Sequence, residues 1–346
     1  MARSKKLLSS ILTFLAFIII ILDTKTAILG VNEGLQLCIQ TVIPALFPFF
    51  ILSAMLNSRL IGKSIGIFRP ICKLCKIPYG SESLLLLGFL AGYPVGAQLI
   101  TQAYVQGSIS EKTAKRMLGF CNNAGPAFLF GMLAPCFENP AAAWVLWGIQ
   151  IGSALCVGWI LSTDADVSCK LKAIPNITLP QALQTAIKNL ATVCGWIIVF
   201  RIILVFCQRW FLWLFPSDIN VLFSGLLELS NGCVQLRELT KPGLQFVLAS
   251  FLLSFGGLCV CMQTYSATST LGLGYYFPGK ILQALLSVTM SLVLQSWLFT
   301  KEEQFYVPLF LLFLSVIPVV FAAIFFRRKK VVAIRRGMLY NSGSFL

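Results

Sequence analysis

The chain has 346 residues, 58% of them hydrophobic and only 11% charged, with 27 Lys and Arg against 12 Asp and Glu. Soluble domains are about 25% charged, so this composition excludes a soluble enzyme, a disordered chain and a disulfide-stapled secreted module. It points to an all-α polytopic membrane protein whose net charge of +15 sits in basic loops rather than serving nucleic acid. The absence of His excludes imidazole metal sites and proton relays, and no cofactor is expected.

The first apolar run, near 7–28, follows Arg3, Lys5 and Lys6. Lys25 lies two residues before Ala27, which makes a poor signal-peptide cleavage site, so the run reads as an uncleaved span. Further runs near 34–56, 115–135, 141–162, 182–206, 244–265, 279–299 and 305–326 reach the ~20 apolar residues that cross a bilayer. The sequence therefore predicts about eight full spans. Between the second and third lies 58–78, where Arg59, Lys63, Arg69, Lys73 and Lys76 punctuate Ile, Leu and Phe. That pattern fits an amphipathic segment on an anionic surface. Cys72 and Cys75 there have no second Cys pair at zinc spacing. Two other false motifs are set aside: Asn57–Ser64 lacks the first glycine of a phosphate loop, and the acceptor Asn176-Ile-Thr178 falls on the cytoplasmic side.

The stretches 83–107 and 220–240 are apolar but interrupted by Gly, Pro and polar residues, and are read as re-entrant. With a cytoplasmic N-terminus, nineteen Lys and Arg fall in cytoplasmic regions and five outside, which sets the orientation and places both termini in the cytoplasm. The expected domains are an N-terminal helix (1–33), a first repeat (34–162), a cytoplasmic linker (163–181) and a second repeat (182–299). A last helix (300–326) and a basic tail (327–346) that contacts anionic lipid follow. No GxxxG pair is expected to fix an interface, although association into a homo-oligomer is compatible with the architecture.

The two repeats share a plan: leading helix, linking segment, broken apolar stretch, then an interrupted helix. GLQLCIQTVIP at Gly34–Pro44 aligns with ALQTAIKNLAT at Ala182–Thr192, and LLLLGFLAGYPVGAQ at Leu84–Gln98 with NVLFSGLLELSNGCVQ at Asn220–Gln235. Their topologies are opposed. An inverted-topology repeat with re-entrant hairpins and broken helices meeting near the midplane is a secondary-transporter signature.

The breaks carry the candidate chemistry, because unwound backbone in lipid survives only where protein or a cavity receives it. In GYPVGA, Pro94 lacks an N–H and clashes with the preceding turn, while Gly92 and Gly96 permit reversal. At 122–126, Asn122 and Asn123 offer amides, Gly125 turns the chain and Pro126 starts a half-helix. Free N–H groups at such a half-helix start suit a carboxylate. The second repeat offers Glu228, Ser230, Asn231 and Gly232 in its hairpin and Gly256-Gly257 in its interrupted helix. Glu228 either couples transport to a cation or proton, pairs with Arg201, or sits solvated at the external interface. Gln98, Gln263 and Thr264 either line the same cavity or bond between helices, and Arg201 either meets a substrate carboxylate or snorkels outward. The substrate-binding set is thus Gly92, Tyr93, Pro94, Gly96, Gln98, Asn122, Asn123, Gly125, Ser230, Asn231, Gly256 and Gly257.

GFLAGYPVGAQL, Gly107-Ser108-Ile109-Ser110, Ala114–Leu118 and FCNNAGPAFLFG, all within Gly88–Met132, form a recognisable core. Through it the sequence resembles the YlbJ (SpoVV) sporulation integral membrane protein family, within the nucleoside-recognition Gate domain group. That group is similar in turn to the concentrative nucleoside transporters. The second repeat departs from the pattern, with LSNGC in place of GYPVGA. The resemblance implies an inner-membrane protein of an endospore former, acting in the mother-cell or outer forespore membrane, with other sporulation membrane proteins as conceivable partners. It also implies movement of dipicolinic acid, a small aromatic dianion, for which Tyr93 and Phe128 offer an aromatic wall. The alternatives are a nucleoside or other small-metabolite carrier, and a non-transporting membrane assembly protein. An enzyme is not expected, since no nucleophile–base pair appears.

Overall fold

A computed structural model describes residues 2–78, 80–162, 176–268 and 270–306. Among these the chain is all helical, and five helices are long and apolar enough to cross a membrane: Thr24–Leu60, Ala141–Ile160, Leu179–Trp210, Pro242–Ala267 and Tyr276–Trp297. The count of eight is not reached, for identifiable reasons. The run 115–135 is not one helix, the run 305–326 lies almost wholly outside the described residues, as does the basic tail, and most of the linker 163–181 is likewise outside them. The first two expected helices are also redrawn. Helix α1 (Ala2–Leu22) stops at Asp23, whose carboxylate accepts from Thr26 N at 3.2 Å and Thr26 Oγ1 at 2.8 Å and so caps the next helix. Those bonds from Thr26, and more weakly Arg209, hold the Asp23 carboxyl below its ordinary range.

Helix α2 (Thr24–Leu60) then continues for 37 residues with no loop before 34. It passes Pro44 and Pro48 by way of a π-turn at Cys38–Val42, where Ile43 N donates to Cys38 O. The basic stretch that follows forms a turn at Gly66–Phe68 and a short helix α3 (Arg69–Leu74), with Cys72, Cys75 and Ile77 buried against the protein and Ile67 and Leu74 exposed. The first broken stretch is α4 (Glu82–Leu90) and α5 (Val95–Val105). Helix α6 (Glu111–Met117) and the mixed helix α7 (Pro126–Cys136) flank the unwound 118–125, and α8 (Ala141–Ile160) closes the first half.

Helix α9 (Leu179–Trp210) begins with a capping box: Thr178 N donates to Gln181 Oε1 at 2.8 Å. The second broken stretch is α10 (Ser217–Leu227) and α11 (Leu229–Gln235), followed by α12 (Pro242–Phe255), α13 (Gly257–Ala267) and α14 (Tyr276–Leu294).

The two leading helices pack antiparallel. A Cβ on Gly30 would lie 2.7 Å from Ile202 Cα and one on Gly34 3.0 Å from Ile198 Cα, while Cys38 Sγ reaches Cys194 O at 3.9 Å. Each step of four along α2 is matched by a step back along α9. Gly30-Val-Asn-Glu-Gly34 is therefore a GxxxG contact within the chain, and it joins these two helices rather than two copies of the protein. The Asp23–Arg209 pair (3.0 Å) joins the start of α2 to the end of α9, but at this exposure it adds little energy.

Each half also presses its two breaks together. Gly92 sits against Gly125, since a Cβ on Gly92 would lie 2.9 Å from Gly125 N. In the second half a Cβ on Gly257 would lie 2.8 Å from Gly225 O and 3.3 Å from Leu226 O. The same device, a hairpin tip against an interrupted helix with glycine at the contact, thus occurs twice. The π-turns of α2 and α7 pack on one another beside the first pair, so irregular backbone collects in one place, as expected where protein rather than lipid must satisfy it.

Candidate functional site

Three of the four breaks, at Gly92–Tyr93, Gly125 and Glu228, border one narrow cavity, which α13 lines with Val260 and Gln263 just past the fourth. Val42, Leu46 and Phe50 of α2 and Val193 and Ile197 of α9 form its apolar side. The first half adds Ala91, Gly92, Tyr93, Gly125, Ala127 and Phe128; the second adds Glu228, Leu229, Ser230, Val260 and Gln263. Tyr93 and Phe128 lie with ring centroids 6.3 Å apart, tilted by 53°. The Tyr93 hydroxyl is buried and has no hydrogen-bond partner among the described residues. A donor of this kind beside a cavity is costly unless a guest or water accepts from it.

Glu228 is the one carboxylate in the lining. It is a single extended residue (φ −143°, ψ 117°) between α10 and α11, and its carboxylate caps α11. Oε1 accepts from Ser230 N at 3.0 Å, and Oε2 from Asn231 N at 2.8 Å and Asn231 Nδ2 at 2.9 Å. The Asn231 oxygen in turn accepts from Arg201 Nη1 at 2.7 Å, and Arg201 pairs with Glu33 at 2.7 Å and 2.9 Å. A polar chain therefore runs from half-exposed Glu33 through Arg201 and Asn231 to buried Glu228. Arg201 reaches Glu228 through Asn231 and does not line the cavity.

The structure divides the sequence-derived candidates. Gly92, Tyr93, Gly125, Ser230 and Glu228 border the cavity, together with Gln263 and Phe128. Pro94, Gly96, Asn122, Asn123, Asn231, Gly256 and Gly257 do not; they shape or hold the breaks. Tyr93–Pro94 is a cis peptide, and Gly256 and Gly257 are both left-handed, with φ of 84° and 74°. A Cβ on Gly96 would lie 2.7 Å from Cys121 O. Asn122, fully buried, accepts from Ala97 N at 3.2 Å and donates to Thr264 Oγ1 at 2.9 Å, tying the first break to α13. Gln98 belongs to a second, more open cleft, where it donates to Asn189 at 3.2 Å. Phe50 borders both cavities and separates them.

Two expectations about chemistry change as a result. Two of the half-helix N-termini are capped: Asn122 Oδ1 takes Ala97 N at the start of α5, and Glu228 takes Ser230 N and Asn231 N at the start of α11. Neither of these presents those N–H groups to an anion, whereas the start of α7 at Pro126 has no side-chain cap and borders the cavity through Gly125, Ala127 and Phe128. Second, a cation absent from the candidate set proves central. Lys280 is 1% exposed and donates to Asn123 Oδ1 at 2.8 Å and Gln283 Oε1 at 2.9 Å. The signal was present in the sequence, since the rule that singles out Glu228, an ionisable residue inside an apolar run, applies equally to Lys280.

Compared with known proteins, the chain is 26% identical over 329 residues to the sporulation integral membrane protein YlbJ of Bacillus subtilis, covering 80% of this chain and 79% of that one. No protein-family profile and no solved structure matches it. With five apolar helices of spanning length and that likeness across four fifths of its length, the chain is a membrane-embedded protein similar to the YlbJ sporulation integral membrane proteins.

Proposed function

We propose that the chain is a carrier that moves a small organic solute across the membrane, binding it in the cavity between the two sets of breaks. The observation that carries this reading is the convergence of broken helices from both halves on one cavity with an aromatic pair on one side and a buried carboxylate on the other. Broken helices around a midplane site are what alternating access requires. The resemblance to sporulation membrane proteins makes dipicolinate, moved toward the forespore, the first guest to test. Its ring would lie against Tyr93 and Phe128, and a carboxylate oxygen would accept from the Tyr93 hydroxyl. On this reading the chain performs no covalent chemistry on its guest, and the excess of basic residues in 58–78 and 327–336 puts both termini in the cytoplasm.

The lining also constrains the guest. It holds one carboxylate and no cation, so a dianion binds only when Glu228 carries a proton, and dipicolinate uptake rises as pH falls. An uncharged, nucleoside-like guest faces no such requirement, and this same lining supports it as the second reading. Purified protein in proteoliposomes distinguishes the two. Accumulation of radiolabelled dipicolinate but not of labelled nucleosides supports the first; the reverse removes dipicolinate as guest; movement of neither removes the carrier reading.

Tyr93→Phe keeps the ring and deletes the hydroxyl. A hydrogen bond to a charged group contributes about 1.5 kcal/mol or more, so the half-saturation concentration for dipicolinate should rise roughly tenfold with maximal rate little changed. An unchanged value would show that the hydroxyl does not meet the guest. Sidedness has its own test: an impermeant maleimide should label Lys63→Cys from the cytoplasm and Lys301→Cys from outside, both positions being exposed. Labelling of both from one side would overturn the orientation.

A further inference from the structure

Outside the cavity, Lys280 is one of three further buried charged side chains among the described residues, with Glu82 and Arg116. Lys280 lies one turn into α14, where Gly279 packs directly on Gly119 and Tyr275 N donates to Lys115 O at 3.1 Å. This close approach brings the ammonium to the unwound 118–125. Its two side-chain partners are neutral oxygens, Asn123 Oδ1 and Gln283 Oε1. The surrounding amides are oriented by their other bonds: Gln283 Nε2 donates to Asn123 Oδ1 at 2.9 Å and Gln150 O at 3.2 Å, Asn123 Nδ2 to Phe120 O at 2.6 Å, and Gln150 Nε2 to Ala124 O at 3.2 Å. Asn123 and Gln283 thus each present an oxygen to the ammonium.

Among the described residues no carboxylate pairs with Lys280. Of the elements packed around it, α12 carries no ionisable residue, α8 only Cys156, α14 itself only Tyr276 besides Lys280, and the stretch 118–125 only Cys121, while Glu111 of α6 is exposed and paired with Lys115. A lone buried ammonium is expensive, and an apolar side chain of similar length would fill the space without that cost. What the arrangement resembles chemically is a seat for a hard monovalent cation: neutral oxygens at an unwound helix in a membrane protein.

We infer that Lys280 is a tethered cation, filling with its ammonium the seat that a sodium ion would occupy at the break of the first half, so that the protein needs no free metal ion there. The ammonium holds 118–125 against α14 and α8 and thereby sets the position of Gly125 at the cavity wall. Only the transport consequence rests on the carrier reading; the cation seat is tested by stability alone.

The experiment is thermal unfolding of the purified full-length protein in sodium, lithium, potassium, methylammonium and choline chlorides at equal ionic strength. Wild type should unfold at one temperature in all five. Lys280→Ala removes the tether and leaves the oxygens, and should be stabilised by sodium, lithium or methylammonium over choline by about 3 °C or more at saturation. Lys280→Met fills the space and should show no such rescue. Sodium stabilisation of wild type, or a Lys280→Ala protein indifferent to every small cation, overturns the inference.

Should Lys280→Ala fail to fold in any salt, Asn123→Asp decides. Beside a charged ammonium the new carboxylate is paired and the protein folds, whereas in the Lys280→Met background it is an unpaired buried charge and folding is lost. Equal effects in both backgrounds overturn the inference. In proteoliposomes, wild-type uptake should be the same with sodium or choline outside; sodium dependence would overturn the inference and leave the carrier reading standing, while no uptake in either salt would remove the carrier reading without touching the unfolding result.

Discussion

Glu228→Ala should cost the fold roughly 2–5 kcal/mol and abolish transport. The carboxylate serves three donors at once, the N–H groups of Ser230 and Asn231 and the side-chain amide of Asn231, and Glu228 is 2% exposed. Its removal strands the start of α11 with donors that neither water nor lipid can satisfy, and each stranded donor costs about 1–3 kcal/mol before relaxation. The loss also propagates, because Asn231 is the link through which Arg201 and Glu33 are held. Glu228→Gln separates structure from charge. Its one carbonyl oxygen still caps α11, so the stability loss should fall to about 1–2 kcal/mol, yet the site can no longer gain or lose a proton. Dipicolinate uptake in Glu228→Gln should therefore lose its dependence on pH. Detergent unfolding of both variants and uptake at several pH values measure this directly. An alanine variant as stable as wild type, or a glutamine variant with the wild-type pH profile, would show that Glu228 is neither cap nor guest-facing charge.

Glu228 also shows where sequence reading stops. The breaks at Gly92–Pro94, Asn122–Pro126 and Gly256 were legible because Pro and paired Gly or Asn defeat a helix locally, whatever lies around them. The break at Glu228 has no Pro or paired Gly; the polar run Glu228, Ser230, Asn231 and Gly232 placed it within 220–240 without showing its form. One residue leaves the helical region and its own side chain closes the gap, which a pattern of apolar and polar positions does not reveal. The capped start of α5 was not legible for a related reason: its cap comes from elsewhere, Asn122 accepting from Ala97 N of a helix 25 residues earlier. Tertiary capping is invisible to local rules.

Span counting failed where it relied on length alone. The run 115–135 has the hydropathy of a crossing helix, but eight of its residues are unwound and buried against glycines from other elements. Conversely, the polar Asp23 ends one helix and starts the next within a single residue, leaving no loop to detect. Lys280 could have been found, since its charge conflicts with its apolar surroundings as plainly as that of Glu228. Its partners, Asn123 and Gln283, could not, because 157 residues separate Lys280 from Asn123.

The glycine contacts carry the second large effect. Gly92→Ala and Gly257→Ala should each cost about 2–4 kcal/mol, and by the same two causes in both halves. Both residues have left-handed φ, 76° and 74°, which costs an L-residue with a Cβ roughly 1–2 kcal/mol. Each new Cβ would also meet backbone rather than a side chain that can swing away, Gly125 N at 2.9 Å and Gly225 O at 2.8 Å, and such overpacking costs about 1–3 kcal/mol. Because these contacts press the hairpin tips onto the interrupted helices, Gly92→Ala should also push Gly125 into the cavity and suppress uptake beyond what the lost protein explains. Gly195→Ala is the control. Gly195 lies inside α9 on its exposed side with nothing within 4 Å of a Cβ, so there alanine should stabilise the helix by about 0.5–1 kcal/mol. If Gly92→Ala and Gly257→Ala unfold at the same temperature as Gly195→Ala, the breaks are not pressed together, and the cavity they frame loses its walls.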